Sequence, residues 1–120
     1  MTVIGIDHVQ VAAPPECEGP ARAFYRDLLG LEEVPKPAAL AERGGCWFRA
    51  GSQELHVGVE EPFAPAEKAH PSLSVDDLDG LRARLEGVGI AVRDDDEIPG
   101  VRRFYAADPF GNRLEFRQAV

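Results

Sequence analysis

The chain repeats itself. Leu29-Gly30-Leu31 is echoed by Val88-Gly89-Ile90 at a spacing of 59, Gly51 by Gly111 at 60, and His8 by His70 at 62. Structural punctuation that recurs at a near-constant interval marks an internal duplication. Whatever one half builds, the other builds again. In each half the patterns run strand, helix and then three strands, so each is read as a βαβββ module, over about residues 1–60 and 69–120. Glu60 to Lys68, with Pro62, Pro65 and several charges, reads as the linker.

In the first half, Val3 to Ala12 alternates as a strand and Pro14 to Gly19 forms a loop. Pro20 suits the first position of a helix. Ala21, Phe24, Tyr25 and Leu28 then recur at i, i+3, i+4 and i+7 as an apolar stripe, and Gly30 ends it. A short strand follows at Leu31 to Val34, then a loop at Pro35 to Gly45. Two strands, Cys46 to Ala50 and Glu54 to Val59, are joined at Gly51-Ser52-Gln53.

The second half restarts with a strand at His70 to Val75. Asp76 is the expected N-cap of a helix carrying Leu78, Leu81, Leu85 and Val88, with Gly89 as its stop. Ile90 to Arg93 reads as a short strand and Asp94 to Gly100 as an acidic loop. The chain closes on a hairpin: a strand ending at Ala107, the turn Asp108-Pro109-Phe110-Gly111-Asn112, and a returning strand. Pro there pre-sets φ, and Gly-Asn tolerates positive φ.

A length of 120 residues suits one α+β domain made of both modules. With 13 basic and 21 acidic residues the net charge is −8, which argues against nucleic acid, whose binding needs clustered Lys and Arg. An acidic chain can instead attract a cationic small molecule. No apolar run approaches the roughly 20 residues of a membrane span. The N-terminus lacks the layout of a signal peptide, so a cytoplasmic protein is expected. Cys17 and Cys46 form no C-x-x-C motif and read as buried or idle thiols.

Alternation by two assigns faces to the strands. Val9 and Val11 belong to the helix-covered side, which leaves His8 and Gln10 opposite. Leu73 and Val75 leave His70, Ser72 and Ser74 opposite, and Leu114 and Phe116 leave Glu115 there. If the modules curl their strands into one curved, half-open eight-stranded sheet around a shared cavity, His8, His70 and Glu115 converge inside it. Two imidazoles and a carboxylate suit a divalent metal with open positions for water or substrate. Leu55, Val57 and Val59 leave Glu54 and His56 on the cavity side. His56 is a candidate fourth ligand, proton carrier or hydrogen-bonding wall residue, and Trp47 and Arg49 would bring an aromatic plate and a cation to the same place.

At this point the residues resemble the vicinal oxygen chelate superfamily, which holds glyoxalase I, fosfomycin-resistance transferases, extradiol dioxygenases and bleomycin-resistance proteins. The resemblance rests on Ile6-Asp7-His8-Val9, on Phe24 to Leu31, on His70 to Leu78 and on Asp108 to Glu115. It implies a glyoxalase-like fold and a homodimer. It also implies one divalent ion, zinc, iron, manganese or nickel, on His8, His70 and Glu115. His56 falls where glyoxalase I carries a fourth, acidic ligand. Arg103 and Tyr105 fall where related transferases hold substrate.

The expected function is therefore a metalloenzyme acting on a small oxygen-chelating substrate. His56 or Glu54 would move the proton, and Gln10, Trp47, Arg49, Arg103 and Tyr105 would hold the substrate. The alternatives are a metal-independent, drug-binding protein of the bleomycin-resistance kind, drawing on Trp47, Tyr105 and the acidic charge, and a structural domain that kept the fold without the chemistry.

Overall fold

The computed structural model describes residues 1–120, and their contacts divide into two compact units, Met1–Ala64 and Pro65–Val120. In the first unit β1 (His8–Ala13) is followed by α1 (Glu18–Ala21), which continues as a π-helical run over Arg22–Leu28. Then come β2 (Glu32–Val34), a 3-10 helix (Ala38–Arg43), β3 (Cys46–Ala50) and β4 (Gln53–Val59). The strands form one four-stranded sheet in the order β1-β4-β3-β2, with β1 parallel to β4 and the other pairs antiparallel. Ala21, Phe24 and Tyr25 of the helix and Phe48, Leu55 and Val57 of the sheet are buried together with Ala13.

The second unit repeats the plan with β5 (Ser72–Val75), α2 (Leu78–Gly87), β6 (Arg93–Asp95), β7 (Arg103–Ala107) and β8 (Arg113–Gln118). Its order is β5-β8-β7-β6, again with the first strand parallel to the last. Leu78, Leu81 and Leu85 of α2 are buried, as are Phe104, Leu114 and Phe116 of the sheet. The α+β class and the glyoxalase-like arrangement are as expected, the eight strands being two sheets of four.

The helix ends show the duplication most plainly. At the close of α2, Gly89 N donates to Glu86 O (3.0 Å) and Ile90 N to Leu85 O (3.0 Å), a glycine-centred cap with Gly89 at φ +82. The first helix closes around Gly30 at φ +79 in the same manner but stretched by one residue, Gly30 N to Arg26 O (3.1 Å) and Leu31 N to Tyr25 O (3.0 Å). The π widening supplies the extra residue, with Leu29 N reaching Phe24 O at 2.9 Å.

Several boundaries differ from the sequence reading. β1 begins at His8, because β4 offers it partners only from Glu54 onward, and Val3, Ile4 and Ile6 are exposed. The first helix starts at Glu18, so Pro20 sits inside its first turn, where a missing N–H costs nothing. The widened helix leaves Leu28 only half-buried, since a wider turn carries i+7 off the core face. Pro35 to Gly45 holds the 3-10 helix in place of a plain loop, and Lys36 donates to the Gly44 carbonyl across it. The α2 N-cap is Asp77, whose Oδ1 accepts from Gly80 N at 3.0 Å, rather than Asp76, and Val88 lies beyond the helix, 62 % exposed. β6 is Arg93–Asp95, displaced toward the acidic segment, because Arg93 and Asp95 pair with Tyr105 and Arg103 of β7.

Candidate functional site

In the first unit the face away from the helix is polar. Strand pairing sets His8 opposite Glu54, Gln10 opposite His56, Trp47 opposite His56 and Arg49 opposite Glu54, so all of them share that face. The rings of His8, His56 and Trp47 stack in a row across three strands, His8 to His56 at 4.1 Å and His56 to Trp47 at 3.9 Å and 3°. Held between two rings, His56 is 4 % exposed, and its Nε2 lies 2.9 Å from Glu54 Oε1. His8 Nδ1 lies 2.9 Å from Asp7 Oδ2. The Gln10 amide covers Gly58, where any side chain would displace it, and Arg49 is exposed.

In the second unit the matching face carries Ser72 and Ser74, Arg113, Glu115 and Arg117, Arg103 and Tyr105, and Arg93 and Asp95. Glu115 is buried at its centre. His70 Nε2 is 3.1 Å from its Oε1, Arg103 Nη1 donates to its Oε2 at 3.2 Å, and Arg117 Nε lies at 3.6 Å. Burial pushes the Glu115 carboxyl up, but the hydrogen bonds from His70 and Arg103 outweigh it and leave it lowered. Arg103 is in turn held by Asp95 Oδ1 at 2.9 Å. His70 Nδ1 lies 2.8 Å from the Lys68 carbonyl, and the imidazole and the Tyr105 ring meet edge to face with centroids 5.4 Å apart. Although Pro71 lacks an N–H, its carbonyl accepts from Glu115 N at 3.1 Å, which seats His70 beside the strand end.

The expected metal triad is thus divided, with His8 in the first unit and His70 and Glu115 in the second. Within either unit, no cluster of three or more His, Cys, Asp or Glu side chains is assembled for an ion. The donor chemistry of the His70–Glu115 pair nonetheless fits a divalent cation. The Lys68 carbonyl accepts from Nδ1–H, and Nε2, which hydrogen-bonds Glu115 Oε1, would ligate an ion beside that oxygen on giving up its own proton, while Arg103 occupies Oε2. An imidazole tautomer fixed from behind and a carboxylate oriented from behind are what a metal site asks of its supporting residues.

Three further residues complete this face without having been singled out in the sequence. Asp95 anchors Arg103, and Arg93 and Arg113 lie over the Tyr105 ring at 4.9 and 4.1 Å, with Arg103 at 5.6 Å. The ring is therefore already engaged by three cations of the chain itself. Arg113 was visible in the alternation of β8 as a partner of Glu115 in parity. Arg93 and Asp95 were hidden by the displaced β6.

Two βαβββ modules of identical strand order, each presenting a histidine and polar side chains on the sheet face away from its helix, define the vicinal oxygen chelate superfamily. The chain belongs to the glyoxalase-like domain family, whose profile matches residues 11–116. A protein assigned to the glyoxalase family, from Bacillus anthracis, is 53% identical with a TM-score of 0.95, covering 100% of this chain and 98% of that one. Lactoylglutathione lyase from Agrobacterium tumefaciens is 25% identical at a TM-score of 0.77, covering 98% of this chain and 96% of that one. TnmS3, an antibiotic-binding protein from a Streptomyces species, shares the fold at 22% identity and a TM-score of 0.78, covering 100% of this chain and 99% of that one. No curated protein sequence gives a significant match. No helix is long and apolar enough to cross a membrane.

Proposed function

We propose that this protein is a metal-dependent enzyme acting on a small substrate that chelates through two oxygens, with His8, His70 and Glu115 as ligands of one divalent ion. The observation that carries this reading is the His70–Glu115 pair, 3.1 Å apart and braced on its outer side by the Lys68 carbonyl and Arg103. The ion, when bound, supplies Lewis-acid stabilisation of an oxygen that gains charge. Its nitrogen and oxygen ligands suit zinc, iron, manganese or nickel alike. Glu54 orients His56, whose imidazole moves the proton. Arg103 and Tyr105 position the substrate's oxygens, Trp47 and Gln10 wall the apolar side, and the exposed Arg49 meets an anionic end.

A homodimer in the cytoplasm is part of the proposal. β1 and β5 each lie at a sheet edge, Val3, Ile4 and Ile6 are exposed, and Cys17 and Cys46 are free thiols suited to a reducing compartment. Light scattering on the purified protein reads the dimer directly.

A second reading, a metal-independent binding protein, is favoured by the gathering of three aromatic rings, His8, His56 and Trp47, on one sheet face. Elemental mass spectrometry on untagged protein purified without chelators separates the two. About one equivalent of a divalent ion, lost in His8→Ala and in Glu115→Ala, is expected for the enzyme. A parent that takes up no iron, manganese, nickel or zinc leaves the binding reading in possession.

A further inference from the structure

We propose that the arginine-lined groove of the second unit binds an oxyanion, a carboxylate or phosphate group carried on a small apolar body. The groove, about 400 Å³, is lined by Arg93, Tyr105 and Arg113, with Ala91 and Gly111 at its walls and Glu67 at its rim. It shares Tyr105 with the proposed substrate site, but neither arginine is one of the proposed metal ligands or substrate-holding residues.

The contrast between the arginines of one sheet face makes the case. Arg103 is neutralised by Asp95 at 2.9 Å and Glu115 at 3.2 Å. Arg93 and Arg113 make no ion pair, and Arg113 Nε, like Arg103 Nε, is buried without a hydrogen-bond partner, so that of the two buried forks only Arg113 has no carboxylate on its terminal nitrogens either. A buried guanidinium N–H left without an acceptor costs stability unless something else supplies one. In a chain of net charge −8, carboxylates are abundant, yet none lies within ion-pair distance of these two groups, Asp95 acting on Arg93 only from farther off while it holds Arg103. Both guanidinium centres instead lie over Tyr105, at 4.9 and 4.1 Å from its centroid, so the ring restrains the two forks. A planar fork held on an aromatic ring is suited to bidentate capture of carboxylate or phosphate. The alanine lining gives the apolar remainder of such a ligand a surface. Glu67 is exposed and is the one carboxylate among the lining residues, placed to compete with an incoming anion.

The test titrates the full-length protein with benzoate and with phenyl phosphate, each against sodium chloride of equal ionic strength. The readout is the NMR resonance of the arginine Nε–H groups, with and without a metal chelator. Saturable shifts at Arg113 and Arg93 that persist in chelator are expected. Affinity should fall about tenfold in Arg113→Gln and in Arg93→Gln, and rise in Glu67→Gln, which opens the rim without touching the fork. Tighter benzoate assigns a carboxylate ligand, and tighter phenyl phosphate a phosphoryl one. Shifts no larger than those from chloride, shifts abolished by the chelator, or arginine variants that stay folded and bind unchanged each overturn the proposal. Metal content, measured separately, tells the failure of this groove from the failure of the metal site.

Discussion

His56 and Glu115 occupy one position in two copies. Each lies on the last strand of its module, His56 opposite Gln10 and Trp47 and Glu115 opposite Ser72 and Tyr105. Each also meets the histidine that opens its module. His8 stacks on His56 at 4.1 Å, and His70 Nε2 reaches Glu115 Oε1 at 3.1 Å. Duplication has therefore produced a ring-on-ring contact in one sheet and an imidazole–carboxylate contact in the other from the same ladder.

The stack reports on itself, because Trp47 is the chain's single tryptophan. His56→Ala removes the ring between Trp47 and His8 and leaves Glu54 without its partner. Trp47 emission is expected to shift to longer wavelength as water reaches the indole. The urea midpoint should fall by the equivalent of about 2 kcal/mol, from lost stacking and a lost hydrogen bond. An unchanged emission spectrum would mean that the rings do not stack in solution.

Glu18 ties the start of the first helix to the β3 approach by accepting from Gly45 N at 2.6 Å, and that bond lowers its carboxyl pKa. With the folded value below the ordinary 4.5, the bond contributes stability above that pH, and the contribution is lost as pH falls through the folded value. Glu18→Gln should thus be less stable by about 1 to 2 kcal/mol at neutral pH. Its deficit should shrink in acid below the ordinary value. Guanidinium melts of parent and variant across that range check this, and a deficit independent of pH would contradict it.

Two glycines of positive φ separate strain from crowding. Gly51 (φ +64) turns between β3 and β4 with nothing near its missing Cβ, whereas a Cβ at Gly45 (φ +83) would overlap the Val57 carbonyl oxygen. Gly51→Ala should cost about 1 kcal/mol, the backbone penalty alone. Gly45→Ala should cost about 3 kcal/mol or more, because the β3–β4 ladder must move to accept it. Equal losses in thermal melts would refute the close approach.

Burial pushes the thiols of Cys17 and Cys46 up to about 11. At pH 8 only about one such thiol in a thousand is ionised, and the thiolate is the reactive form. The folded protein should react with DTNB far more slowly than a free cysteine, and both thiols should titrate promptly in denaturant. Rapid modification without denaturant would show that these side chains are not enclosed.

The duplication, the order of elements along the chain and the face of each polar side chain within its strand were legible because they depend on periodicity. A period of two keeps His8 with Gln10 on one side of β1, and Glu54 with His56 on one side of β4, whatever the neighbouring strands do. Features that depend on pairing were not legible. β6 slides to Arg93–Asp95 because Tyr105 and Arg103 select its register. That slide created the Asp95–Arg103 pair and brought Arg93 over Tyr105. The π widening at Phe24 to Leu29 was equally hidden, since an apolar stripe fixes which residues turn inward but not how many residues each turn takes.

Because each half completes its own four-stranded sheet, the peptide bond between Ala64 and Pro65 can be cut without breaking any strand pair. A substitution within one ladder leaves the strand pairs of the other in place. One copy then holds an imidazole where its twin holds a carboxylate. The same separation lets Arg93, Arg103, Arg113 and Arg117 gather on one twin, four guanidinium groups around the two carboxylates of Asp95 and Glu115, on a chain that is otherwise acidic.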